Sequence, residues 1–129
     1  MVATDVLLVS SGAVAGALLR YKINQLNLTP YSTVAINIAG SFLLGNIIQY
    51  TSTMIPSYHK YKQLYLLLIG TGFCGSFTTF STFSCDVIQL LDKQMYSRAM
   101  AVIILTNTMG ISAAFVGFRF MKHITAVAH

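Results

Sequence analysis

The stretch that most constrains this chain runs from Gly70 to Ser84: Gly-Thr-Gly-Phe-Cys-Gly-Ser-Phe-Thr-Thr-Phe-Ser-Thr-Phe-Ser. It lies inside an apolar run, Tyr61 to Leu91, that is longer than the ~20 residues a helix needs to cross a bilayer. Its middle is wrong for a plain span. Gly70, Gly72 and Gly75 each weaken a helix interior by roughly 0.5–1 kcal/mol relative to alanine. The hydroxyls that follow can satisfy backbone groups released where a helix breaks. The pattern predicts a third helix interrupted near residues 72–78 and resumed at about Thr79. Irregular backbone at membrane depth is tolerated only where protein buries it or it lines a wet cavity. Such a break therefore marks either an ion or substrate site or a glycine-rich packing face.

Only 9% of the 129 residues are charged and 55% are hydrophobic, against about 25% charged in an ordinary soluble domain. The chain reads as an all-α membrane protein made of one transmembrane domain, residues 1–129, with spans at about 6–21, 31–53, 61–91 and 96–121. Short loops are expected at Lys22–Pro30, Met54–Lys60 and Asp92–Met95. Ala13-Val14-Ala15 mimics a signal-peptide cleavage site, but no basic segment precedes it and Asp5 stands where positive charge belongs, so an uncleaved first helix is expected. Cys74 and Cys85 would lie about 16 Å apart along a helix, too far for a disulfide, and two buried thiols are expected.

The net charge of +5 comes from residues scattered at the ends of the spans, which does not suggest nucleic acid. Four spans put Arg20, Lys22, Lys93 and Arg98 on one side and Lys60, Lys62, Arg119 and Lys122 on the other. The positive-inside rule then prefers neither orientation. A chain without a preference can insert both ways and pair head to tail; the alternative is that one or two residues, such as His59 or Arg98, tip the balance to one orientation.

Several polar residues need an account. Arg20 is either a snorkelling interfacial cation or an anion-attracting charge at a vestibule. Thr33, Asn37 and Ser41 share one face of the second helix. Asn37 fits either a hydrogen bond between helices or a donor to a passing anion. Phe80 and Phe83 project from neighbouring positions. They are either core residues or ring edges, which are partly positive, lining an anion path. Asp86 is a carboxylate in or near the membrane, a functional candidate by default, with a solvated place at the end of the span as the alternative. The hydroxyls in Thr106-Asn107-Thr108 could extend a track of donors or pin helices together. The chain has no glutamate, and Asp5, Asp86 and Asp92 are its only acids. Proton-coupled transport normally needs buried ionisable groups. Neither a nucleophile–base pair nor a metal cluster is apparent, so an enzyme is not expected.

With these residues in view, the chain resembles the small fluoride channels of the CrcB, or Fluc, family over nearly its whole length. Gly16-Ala17-Leu18-Leu19-Arg20-Tyr21 is similar to the family's first-helix motif. Asn37-Ile38-Ala39-Gly40-Ser41-Phe42 with Gly45 is similar to its second-helix motif, and residues 72–84 closely resemble its third-helix signature. The resemblance implies an antiparallel, dual-topology homodimer with two pores that passively exports cytoplasmic fluoride across the cell membrane. It implies a structural sodium ion at the dimer centre, held by backbone carbonyls at positions matching Gly75 and Thr78. It implies that Phe80 and Phe83 line the fluoride path, that Asn37 donates to the ion, and that Arg20 stands near a vestibule. Thr106, with Ser81 or Thr82, would belong to a polar track beside the phenylalanines. The chain departs from the family at Val102, often a tyrosine, at Gly110, sometimes a hydroxyl residue, and at Asp86, a glutamate elsewhere.

Two other classes share some of these features. A small dual-topology multidrug antiporter needs a carboxylate within its first helix, and none lies between Asp5 and Arg20. A non-conducting membrane assembly protein would use the packing glycines but would not need Phe80 and Phe83 beside a break.

Overall fold

A computed structural model describes residues 3–53 and 59–127. The described residues are helical throughout, apart from short turns. They form α1 (Ala3–Asn24), α2 (Tyr31–Thr53), α3 (His59–Tyr65), a π-helical stretch (Leu66–Cys74), α4 (Gly75–Phe77), α5 (Phe80–Asp92) and α6 (Tyr96–Val127). The stretch from α3 to α5 makes one membrane-length rod, and α1, α2 and α6 make the other three. The expected loop at residues 54–60 lies largely outside the described residues. Neither cysteine is in a disulfide, but only one of the two thiols expected to be buried is: Cys74 is buried, whereas Cys85 lies on an exposed face of α5.

Because lipid is as apolar as leucine, helices in a bilayer associate by close packing rather than by the hydrophobic effect. The chain does this at two seams, where backbone meets backbone. Along the first, α1 lies on the π-helical stretch. A Cβ on Gly12 or Gly16 would overlap the carbonyl oxygens of Leu68 and Phe73. Along the second, α2 and α6 run in the same direction in close contact. A Cβ on Gly45 would meet the Ala114 carbonyl, and one on Gly117 the Phe42 carbonyl. A small apolar core of Val34, Phe83, Val87, Leu90, Ala99 and Val102 joins α2, α5 and α6. Leu7, Ile111 and Phe115 are exposed, as hydrocarbon-facing residues should be.

The turn from α5 into α6 is built locally. Gln94 takes a left-handed conformation, φ 58°. The Met95 amide reaches back to the Leu90 carbonyl (2.8 Å) and the Gln94 amide to that of Leu91 (2.9 Å). This is a Schellman ending, and Met95 packs on the core that includes Leu90.

The third rod is interrupted, at the very end of the expected stretch. The helix continues through Gly70, Gly72 and Gly75 and gives way only at Thr78 (φ −77°, ψ 158°) and Thr79 (φ −154°, ψ 119°). The glycines are not where the helix fails. Gly70 and Gly72 are buried, and Gly72 closes up to α1, where its Cβ would stand 2.7 Å from the Val9 carbonyl oxygen.

The α2–α6 seam gives a paired prediction. Gly45→Ala should destabilise the protein by about 1–3 kcal/mol, the usual cost of overpacking. Gly110→Ala should be tolerated, because the nearest atom to a Cβ there is the Ser41 hydroxyl oxygen at 3.8 Å. Thermal unfolding in detergent compares the two.

Candidate functional site

The site is the break itself. Asn37, on α2, faces it and binds it twice. Its Nδ2 donates to the Thr79 carbonyl (3.1 Å), and its Oδ1 accepts from the Thr79 amide (2.8 Å). Thr79 then caps α5, its Oγ1 accepting from the Thr82 amide at 3.1 Å. Threonine is a favoured residue for this position.

These bonds have a consequence for the carbonyls upstream. In a continuous helix the Thr79 amide would close on the Gly75 carbonyl and the Thr82 amide on that of Thr78. Both amides are diverted, one to Asn37 and the other to Thr79 Oγ1. The last turn before the break is made instead by the Thr78 amide and hydroxyl, which donate to the Cys74 carbonyl at 3.0 and 2.9 Å. The Gly75 and Thr78 carbonyls are thus free of helical donors. Arg20, half-buried on α1, donates to the Thr78 carbonyl oxygen at 3.4 Å.

A cavity of about 160 Å³ opens beside these atoms, lined by Asn37, Gly40, Ser41, Cys74, Gly75 and Thr78 among others. A carbonyl oxygen left without a donor, as at Gly75, is a hard ligand that suits an alkali or alkaline-earth cation rather than zinc or copper. Among the described residues no cluster of His, Cys, Asp or Glu could hold a metal ion.

On the far side of the break, Phe80 and Phe83 lie 5.5 Å apart between ring centroids, tilted by 48°. Their environments differ sharply. Phe83 is 7% exposed and belongs to the core, whereas Phe80 is 77% exposed. Ser81 and Thr82 gather on the Thr79 hydroxyl at 3.2 and 3.1 Å. Thr106 has a buried hydroxyl with no hydrogen-bond partner. Asn107, its neighbour, donates to its own helix at the Ile103 carbonyl (2.7 Å). Val102 is buried in the core with Phe83.

The break therefore gathers Arg20, Asn37, Gly75, Thr78, Ser81 and Thr82, with Phe80 next to it in the chain. Sequence reasoning missed two features. Thr79 appeared only as the residue where the helix resumes, although a threonine just before the first apolar residue of a helical run, here Phe80, is a capping signal. The second is the bond from the Thr33 hydroxyl to Asp86 Oδ2 (2.6 Å). It gives Asp86 a partner on α2 and anchors α5 beside the Asn37 face. Thr33, Asn37 and Ser41, one turn apart, all point to the broken rod or its cavity.

The family model described as CrcB-like protein, Camphor Resistance (CrcB), matches residues 7–118. The chain is 39% identical over 121 residues to a fluoride-specific ion channel FluC 2 of Bacillus thuringiensis subsp. konkukian, covering 89% of this chain and 95% of the relative. It is 40% identical over 110 residues to a fluoride-specific ion channel FluC of Methanocaldococcus jannaschii, covering 82% and 84%. With the FluC of Vibrio vulnificus it shares 32% identity over 120 residues, covering 88% and 92%. With four membrane-length helices, the third broken beside an asparagine and a phenylalanine pair, this chain belongs to the CrcB family.

Proposed function

We propose that this protein is a fluoride-selective channel of the cell membrane that passively exports cytoplasmic fluoride, working as an antiparallel homodimer with two pores. The observation that carries the reading is the Asn37–Thr79 clamp. It holds an amide, freed carbonyls and a phenylalanine pair at one depth of a broken helix, in a chain whose relatives are named fluoride-specific ion channels.

The chemistry follows from fluoride's small size and tightly held water. Fluoride enters cells as the neutral acid and dissociates at cytoplasmic pH, so a passive path suffices for the trapped anion to leave. A narrow site must replace its hydration with donors that are already oriented. The Asn37 amide, the hydroxyls of Ser81, Thr82 and Thr106, and the ring edges of Phe80 and Phe83 present positive ends with no full charge, so the ion is met without being trapped. Arg20 draws anions toward the vestibule. The rings act as a dry constriction in which an ion that cannot use their edges gains nothing for its lost water.

Two observations support the second copy. Phe80, next to the break, is 77% exposed, an odd place for one ring of an anion path unless another subunit covers it. The basic residues divide evenly between the two ends of the bundle, which permits opposite insertions. The Gly75 and Thr78 carbonyls of two copies would together give a sodium ion at least four hard oxygens. Such an ion supplies fixed positive charge at the dimer centre.

Four outcomes test the reading. Liposomes carrying the purified protein should release fluoride rapidly and chloride at a far lower rate; equal release of both sinks the selectivity. Phe80→Ile should reduce fluoride efflux at least about tenfold with little effect on stability, because the ring is outside the subunit core. Phe83→Ile should reduce flux and stability together, by about 1–3 kcal/mol for the latter. A reporter cysteine at Lys93 should be labelled in comparable shares from both faces of the membrane, and labelling from one face alone would exclude antiparallel pairing.

A further inference from the structure

The Ser41 hydroxyl has no role in the clamp, the cap or any helix contact. Serine and threonine inside these helices commonly close on their own backbone. Ser10 donates to Val6, Ser52 to Ile48, Ser84 to Phe80 and Thr108 to Ile104. Such a bond is the usual fate of a hydroxyl in an apolar helix. Ser41 makes no such bond, and among the described residues it has no hydrogen-bond partner. It is half-buried. Its oxygen is not sealed off in the subunit but opens on a cavity, and in a membrane-spanning segment a hydroxyl without a partner is costly, so its place needs a reason.

The surroundings supply one. Ser41 follows Asn37 by one helical turn and lines the same cavity, together with Gly75 and Thr78. On its α6 side stands Gly110, and a Cβ there would come no closer than 3.8 Å to the Ser41 oxygen. That open space leaves the hydroxyl free to rotate. One turn before Gly110 on α6 is Thr106, whose buried hydroxyl is also without a partner. Because α2 and α6 run in parallel, the step from Asn37 to Ser41 on one helix matches the step from Thr106 to Gly110 on the other. The two unpartnered hydroxyls and the Asn37 amide thus flank one short stretch of the α2–α6 seam.

We propose that Ser41 is a further anion-contacting, specificity-determining residue, donating its hydroxyl proton to fluoride one helical turn beyond Asn37. This rests on the channel reading above. The hydroxyl presents a small, rotatable donor, which suits a small, strongly hydrogen-bonding anion better than chloride. Gly110 keeps the rotation open by having no side chain.

The test uses the full-length protein in liposomes, with fluoride and chloride as the probes. Ser41→Ala should lower fluoride efflux about tenfold, the scale of one lost hydrogen bond to a charged group, and leave chloride release unchanged. No bond within the protein is broken by that change, so thermal stability should not fall. Ser41→Thr should retain efflux. Gly110→Ser, made in the alanine background, puts a hydroxyl back into the same space from the opposite helix and should recover most of the lost flux. Efflux from Ser41→Ala within twofold of a conducting parent overturns the Ser41 assignment alone. So does a loss that Gly110→Ser leaves uncorrected in a folded protein. A parent protein that releases no fluoride takes down the channel reading and this assignment with it.

Discussion

Two hydrogen bonds between the Asn37 side chain and the backbone of Thr79 decide where the third rod stops being a helix. An amide is the one common side chain that can both give and take here with a single planar group. An aspartate would lack the donor, an aliphatic residue would lack both, and a glutamine would carry the amide one carbon further out. Once the Thr79 amide is taken, the effect propagates. The Gly75 carbonyl loses its helical partner, the Thr79 hydroxyl turns to cap α5, and the Thr78 carbonyl loses its partner as well. In a medium without water, every one of these exchanges must balance nearly one for one, because an unmet backbone group costs several kcal/mol. What remains unbalanced is concentrated at the Gly75 carbonyl and a few hydroxyls, beside a cavity, while Arg20 meets the Thr78 carbonyl.

The frame that holds the clamp in place is made largely of backbone. α1 presses on the π-helical stretch and α2 on α6, each through glycines that let one main chain approach another. These two seams are linked through the broken rod itself. Its first half belongs to the α1 seam, and its second half packs on α6 and binds α2 through Asp86 and Thr33. The break is thus also the joint between the two halves of the subunit. Phe80 and Phe83 follow that joint three residues apart on α5, so their rings are neighbours, and Phe83 can be a core residue and still stand 5.5 Å from an exposed Phe80.

Much of this was legible in the chain. The four spans follow from apolar run length alone, and α2 begins and ends at the residues expected, Tyr31 and Thr53. The common face of Thr33, Asn37 and Ser41 follows from helical periodicity. The break falls at the end of the expected stretch, but its cause was not legible. Glycine content pointed to residues 72–78, but glycine lowers helix stability only modestly, and close packing against α1 more than repays that in place. The interruption occurs where a tertiary partner offers better hydrogen bonds than the helix does. That partner is some forty residues away in the chain, so local sequence carries no sign of it. The π-helical turns between Leu66 and Cys74, where α1 packs, had no sign in the local sequence either. The partner of Asp86 could not be read for the same reason.

The four membrane-length rods are even in number, so the segment after the last lies on the same side as the segment before the first. Two such units translated as one polypeptide would therefore face the same way unless the connector itself crossed the bilayer. An inverted pair can arise freely only from separate molecules, and covalent joining of the two would require an odd-numbered addition. A fusion meant to keep the proposed inverted pairing must include a fifth hydrophobic helix between its two copies.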